Sequence, residues 1–228
     1  MPEQSAAPVT FWSLLDDADR AAVRAIGTPR ELGGDRVLFA QDEDSDYLLV
    51  VLRGCVKVVT HTATGYRAVL GLRGPGDLLG EQAGLEGRPR SAALCTVTPT
   101  RVLLLGLQRF RALAAARPGI ARAVDQVLSR RLREADEMRV STADAVPVRL
   151  AALLLELAER YGEPGSGAGE VRITLPLSQD DLAGLVVSSR RTVSRVLEQW
   201  RGLGWITTGR QSLLIRALDR LKDQAYGG

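Results

Sequence analysis

Arg190, Arg191 and Arg195, with Ser194 beside them, fall on one side of a short stretch whose other side is apolar. Guanidinium groups suit one kind of chemistry above others. Their rigid fork of N–H donors grips guanine O6 and N7 with two bonds, or a phosphate with two. Val193, Val196, Leu197 and Trp200 follow the i, i+3, i+4, i+7 spacing of a buried helical face. The helix opens at Ser188 or Ser189, which places Thr192 in its first turn. Just upstream, Ser178 caps an earlier helix and Asp181, three residues on, completes a capping box. Leu182, Leu185 and Val186 form the inward stripe of that helix. Two helices separated by a few residues make a helix-turn-helix, whose second helix fits the DNA major groove. An ordinary amphipathic helix with a solvated charged face would show the same stripe. Residues 205–208 and 212–215 favour the first reading, since they read as strands around Gly209-Arg210. That hairpin is a wing, with Arg210 at its tip to meet phosphate. The DNA-facing candidates are thus Ser178, Ser189, Arg190, Arg191, Thr192, Ser194, Arg195 and Arg210.

The order of these residues also carries a resemblance. Asp181-Leu182-Ala183, then Ser189-Arg190-Arg191-Thr192-Val193-Ser194-Arg195-Val196-Leu197, resembles the DNA-reading element of the CRP/FNR family of bacterial regulators. The resemblance covers roughly residues 14–215. It implies an α+β chain with an N-terminal antiparallel β-roll of cyclic-nucleotide-binding type, a long central dimerisation helix and a C-terminal winged helix-turn-helix. It implies a homodimer on a palindromic double-stranded DNA site. Two departures stand out. Val187 occupies the turn where relatives place Gly, so a β-branched residue must shift the turn or absorb roughly 1–3 kcal/mol of strain. Arg191 replaces an acidic base-reader, and arginine prefers guanine where glutamate accepts from cytosine. A target palindrome different from that of a typical cAMP receptor is expected.

Composition narrows the classes. A chain of 228 residues accommodates two modest domains, and 45% hydrophobic with 25% charged residues is globular. The net charge is only +3, so basicity must be local. It is: Arg190, Arg191, Arg195, Arg201 and Arg210 face one acid, Glu198, over residues 190–210. Cys55 and Cys95 are too few for an iron–sulfur centre, which needs about four thiolates. They read as small strand residues rather than a redox pair. His61 is the single histidine, just before an expected exposed hairpin tip at residues 62–65, and reads as solvated. No catalytic or metal site is expected, and neither is an enzyme. The start, MPEQSAAPVT, has no basic n-region and reads as a loose tail over residues 1–10. No apolar run reaches the ~18 residues of a membrane span, and a cytoplasmic protein is expected.

The elements that must position the reading helix lie upstream. Residues 11–26 carry a helical apolar stripe. Short β-rich runs come next at 37–40, 47–52, 55–60, 66–72, 92–96 and 102–107, a spacing near ten residues that suggests a sandwich or barrel. An effector-binding domain over 11–117 is expected. Leu38-Phe39 and the run 46–58 resemble the cyclic-nucleotide-binding fold, with Asp42 where that fold usually has Gly. In the run PGDLLGEQAGLEGRPRSA, Gly80-Glu81 starts a short helix and Arg90-Ser91 lies nine residues beyond the glutamate. The resemblance implies that Glu81 accepts from a ribose 2′-hydroxyl while Arg90, Ser91 and the Gly80 N–H hold the phosphate. The alternative is a Glu81–Arg90 ion pair bracing a loop in a relative without a ligand.

The central helix is expected over 118–142, after the break at Pro118-Gly119. Val124, Leu128, Arg131, Ala135 and Met138 recur at alternating three- and four-residue steps, a short coiled-coil seam for a dimer. Val127 and Leu132 lie off it and face the β-roll; burial of the whole helix in one chain is the alternative. Matching Arg130-Arg131-Leu132 to the family places Ala135 and Asp136 where cAMP receptors hold adenine. Ala135 cannot hydrogen-bond a base edge, and an ionised Asp136 only accepts, which suits guanine N1–H and N2–H. The expected effector is a guanine nucleotide (cGMP or cyclic di-GMP) rather than cAMP, or none. A hinge at 143–146 leads into an output domain over 147–228, opened by Pro147 at the first helical position. The run GEPGSGAG at 162–169 reads as a loop before a strand at 171–174, and the resemblance implies a contact there with RNA polymerase. No role is evident for residues 216–228. The leading reading is a regulator gated by a cyclic nucleotide or cyclic dinucleotide. The alternative is a constitutive DNA binder with a vestigial pocket.

Overall fold

The computed structural model describes residues 9–61, 67–209 and 211–227. The expected hairpin tip at 62–65, Arg210 with the wing tip expected there, and most of the N-terminal tail lie outside them. In chain order the elements are α1 (Phe11–Leu14), α2 (Asp17–Ile26), β1 (Gly27–Leu32), β2 (Val37–Phe39), β3 (Tyr47–Arg53), β4 (Val56–His61), β5 (Arg67–Arg73), β6 (Leu78–Leu79), α3 (Glu81–Glu86), β7 (Ala93–Thr96) and β8 (Thr100–Gly106). Then come α4 (Leu107–Ala116), α5 (Pro118–Ser141), α6 (Val146–Tyr161), β9 (Gly162–Pro164), β10 (Val171–Ile173), α7 (Gln179–Leu185), α8 (Arg190–Gly202), β11 (Ile206–Thr208), β12 (Leu213–Ile215) and α9 (Leu218–Tyr226). The chain forms two units. The first comprises Met1–Val58 and Leu72–Glu134, the second Val59–Gly71 and Ala135–Gly228.

The first unit is built around β3, whose sequence YLLVVLR is apolar without alternation. Such a run requires burial on both faces. Leu48 and Val50 point into a cluster with Phe11, Leu105, Phe110, Ile120 and Val127 from the helices and β8. Leu49 and Val51 point into a second cluster with Phe39, Val56, Leu94 and Val102. The antiparallel sheet order is β1-β8-β3-β6, with a further sheet ordered β2-β7-β4-β5. Strand β1, with the sequence GTPREL, is an addition to the sequence reading; its exposed residues and Pro29 carry no strand signal. The helix expected over 11–26 is two helices, because Asp16 caps α2 by accepting from Asp19 N at 2.6 Å. The left-handed turn at Asp42 survives without Gly (φ 64°), and its N–H donates to the Arg90 carbonyl at 2.8 Å.

In the second unit α6, α7, α8 and a sheet ordered β11-β12-β10-β9 enclose Leu150, Leu154, Leu182, Val193, Leu197 and Trp200. The Trp200 and Trp205 rings stack with centroids 6.2 Å apart. Residues 162–164, expected in a loop, pair with β10 as an edge strand, and the next glycines make the turn. The helix α6 begins one residue earlier than expected, at Val146. Residues 216–228, unassigned from sequence, carry α9, whose Leu221 is fully buried. Leu221→Ala should cost about 2–5 kcal/mol, read from urea unfolding followed by the tryptophan fluorescence of the second unit.

Candidate DNA-reading site and effector cassette

The reading helix is set by local chemistry at both ends of the turn before it. The Ser178 hydroxyl accepts from Asp181 N at 3.0 Å, and Asp181 Oδ2 accepts from Ser178 N at 3.0 Å, the reciprocal capping box. At the far end of α7, Val187 N donates to the Gly184 carbonyl (3.2 Å) and Ser188 N to the Ala183 carbonyl (2.9 Å). That pair of bonds is a Schellman ending. Its left-handed position is taken by Val187 at φ 48°, so the turn keeps the shape a glycine would give. Ser189 then caps α8 by accepting from Thr192 N at 3.1 Å.

With Val193, Val196, Leu197 and Trp200 buried, the opposite face of α8 shows Arg190, Arg191 and Arg195 to solvent. Arg190 lies 3.5 Å from Asp180, whereas Arg191 and Arg195 have no acid partner among the described residues. Ser194 is half-buried and donates to Glu198 at 3.2 Å. Ser178, Ser189 and Thr192 use their hydroxyls in the caps, so their first role is to shape the element. Arg201 turns away to Thr208 on the wing, at 3.1 Å.

The cassette in the first unit is arranged differently from the expectation. Glu81 is 3% exposed and its Oε1 accepts from Arg131, not Arg90. Arg131 also donates to the Leu78 carbonyl. Glu81 Oε2 is buried and has no hydrogen-bond partner among the described residues. Arg90 is 2% exposed and committed to the protein: it donates to Ser45 Oγ (2.6 Å), the Gly80 carbonyl (2.7 Å) and the Tyr47 carbonyl. Its guanidinium lies over the rings of Phe39 (4.3 Å) and Tyr47 (5.3 Å). Burial pushes its pKa down. Gly80 is left-handed (φ 82°), and a Cβ there would stand 2.5 Å from Arg90 Nη1, so glycine is required. Ser91 is exposed. Beside Glu81 is a cavity of about 90 Å³ with Leu48, Leu107, Phe110 and Val124 in its wall.

Within the single chain the residues expected along the seam, Val124, Leu128, Arg131, Ala135 and Met138, fall into two groups. Val124 is 5% exposed within its own chain's core and Leu128 packs against the same cluster. Arg131 is drawn inward by Glu81. Leu132, expected to face the β-roll, is instead 65% exposed, and Ala135, Asp136 and Met138 are exposed as well. The inward stripe of α5 is Ile120, Ala123, Val124 and Val127. Val127 therefore faces the core as expected. Sequence reasoning missed Arg73, which lies beside Arg131 and 3.6 Å from Glu134. Burial first, then the Arg131 charge, pushes its pKa down.

Comparison with known proteins matches residues 29–117 to the cyclic nucleotide-binding domain and residues 148–224 to the Crp-like helix-turn-helix domain. A CRP-like cAMP-activated global transcriptional regulator of Mycobacterium tuberculosis is 33% identical over 201 residues, 86% of this chain and 88% of that protein. The chain belongs to the CRP/FNR family of transcription regulators. A cyclic AMP receptor protein of Thermus thermophilus is 31% identical over 83% of this chain and 84% of its own length. The crystal structure of a CRP/FNR-family transcriptional regulator from Thermus thermophilus has a TM-score of 0.72 at 27% identity, covering 87% of this chain and 98% of that one. Relatives of this kind are DNA-binding regulators, not enzymes. Among the described residues no cluster of ligating side chains fits a metal ion, and no helix is long and apolar enough to cross a membrane.

Val187→Gly removes roughly 1–3 kcal/mol of backbone strain against an unfolded-state entropy penalty of about 0.5–1 kcal/mol. A net gain near 1 kcal/mol is expected, seen as a rise of a few degrees in the melting temperature of the chain.

Proposed function

We propose that this regulator reads a palindromic duplex as a homodimer through Arg190, Arg191 and Arg195. The observation that carries the reading is the exposed three-arginine face of α8, opposite a fully buried apolar face. Arg191 and Arg195, without an acid partner among the described residues, remain available to guanine edges or phosphates. Arg210 adds a phosphate contact from the wing. The dimer uses the exposed side of α5, with Leu132 joining Ala135 and Met138 in place of Val124, Leu128 and Arg131. RNA polymerase, the remaining partner the family suggests, would meet the turn at 165–169, since residues 162–164 are held in β9. Arg190→Ala should weaken binding to the selected duplex by about 1–3 kcal/mol. Arg191→Glu should move base preference at one position from guanine towards cytosine, read by selection from random duplexes.

For the effector we infer a cyclic nucleotide or cyclic dinucleotide at Glu81. A buried carboxylate oxygen without a donor is costly to keep, and a ribose hydroxyl supplies that donor. The Mycobacterium tuberculosis relative is named as cAMP-activated, which supports the nucleotide class. The base preference inferred here is guanine, because Asp136 accepts and Ala135 offers nothing to adenine. A second reading, DNA binding independent of any ligand, is favoured by Arg90. Its guanidinium is already bonded and covered by two rings, and 90 Å³ is well below the roughly 300–1,000 Å³ of ligand pockets. Calorimetry of the purified chain with cGMP, cyclic di-GMP and cAMP separates the two. Tighter binding of a guanine nucleotide is expected, and the binding should be lost in Glu81→Gln. Tighter binding of cAMP ends the guanine preference. No heat with any nucleotide, together with unchanged DNA affinity, establishes the second reading.

A further inference from the structure

Asp181 does more than cap α7. Its side chain is almost wholly buried, and one oxygen, Oδ2, suffices for the capping box with Ser178. The other, Oδ1, accepts from Arg67 Nη2 at 2.9 Å, a partner 114 residues earlier in the chain. One helical turn further, α7 meets the same strand again. A Cβ on Gly184 would stand 2.8 Å from Val69 N and 3.0 Å from Val69 Cγ2, so the helix rests on the backbone of β5. Positions 181 and 184 share one side of a helix, and 67 and 69 share one side of a strand. The two contacts therefore form a single seam, polar at one end and close-packed at the other. All four residues belong to the second unit.

We infer that Arg67 is a positioning residue for DNA reading. It fixes α7 on β5 and, through the Schellman turn at Val187, fixes the direction in which α8 presents its arginines. The inference rests on the DNA reading above. A cap alone does not require this arrangement, because a capping carboxylate at a helix start is ordinarily solvated on its free oxygen. Here that oxygen is buried and its counter-charge arrives from a strand. The far end of β5 carries a matching tie within the first unit. Arg73 pairs with Glu134 of α5 at 3.6 Å and lies beside Arg131, the partner of Glu81.

The test uses the full chain and a duplex that the wild type selects from a random-sequence pool. Arg67→Met keeps the length of the side chain and removes its charge; Arg67→Lys restores a charge without the fork. Arg67→Met should bind the selected duplex about tenfold more weakly while its affinity for an unselected random duplex changes less than twofold. Arg67→Lys should recover most of the loss. Gly184→Ala leaves the ion pair and raises the helix propensity of α7, but pushes α7 off Val69. It should also lose several-fold on the selected duplex alone, and it decides the matter if Arg67→Met melts below the assay temperature. Selected-duplex affinity within twofold of wild type in both variants, or equal losses on selected and random duplexes, overturns the assignment. A wild-type chain that selects no duplex overturns the DNA reading itself, and this assignment with it.

Discussion

A charged side chain taken out of water must find an opposite charge or enough hydrogen bonds, or the fold around it will not hold. Glu81, Arg90, Asp19 and Asp181 are all nearly inaccessible, and each joins segments far apart in the chain. Glu81 with Arg131 ties the short helix α3 to α5. Arg90 ties the end of the cassette to Ser45, Tyr47 and Gly80. Asp19 with Arg117 joins α2 to the start of α5. Asp181 with Arg67 joins α7 to β5. The apolar clusters supply most of the favourable burial. They are permissive about register, whereas a buried charge with one satisfied set of partners is not. These four ties therefore decide which face of each helix points where.

The same constraint explains the behaviour of the cassette. An ion pair between Arg90 and Glu81 would have committed the two residues to each other. Arg131 takes that place, and Arg90 is held by carbonyls, a hydroxyl and two aromatic rings. The result leaves one unsatisfied carboxylate oxygen and a close-packed guanidinium, both within the first unit. The first feature invites a hydroxyl donor, and the second resists a phosphate. An effector that engages both must displace some of the bonds Arg90 already makes.

In the reading element, local rules and distant contacts divide the work. The capping box of α7, the Ser189 cap, the Schellman bonds and the apolar stripe of α8 depend on residues within about five positions of one another, so they are legible in residue order alone. Ser178, Asp181, Ser189 and Val187 all fall where the spacing put them. The apolar runs of the β-roll are legible for the same reason. Strand β1 is not, since an exposed edge strand containing Pro29 has no alternation to betray it. Residues 162–164 and α9 escape the same reading because their order comes from pairing and packing, not from propensity.

The sequence by itself determined the apolar strands of the β-roll, the two helices of the reading element with their caps, the arginine face and the kinship that both matched domains bear out. These follow from periodicity and short-range hydrogen bonding, which a linear chain displays openly. Tertiary structure alone decided that Val124 faces inward and Leu132 outward, that Arg131 rather than Arg90 answers Glu81, and that Arg67 answers Asp181. Those outcomes depend on which of several chemically equivalent arginines is carried nearest to a buried carboxylate, across separations of 50 and 114 residues. Residue type fixes the need for a partner; only the folded path of the backbone fixes which partner arrives.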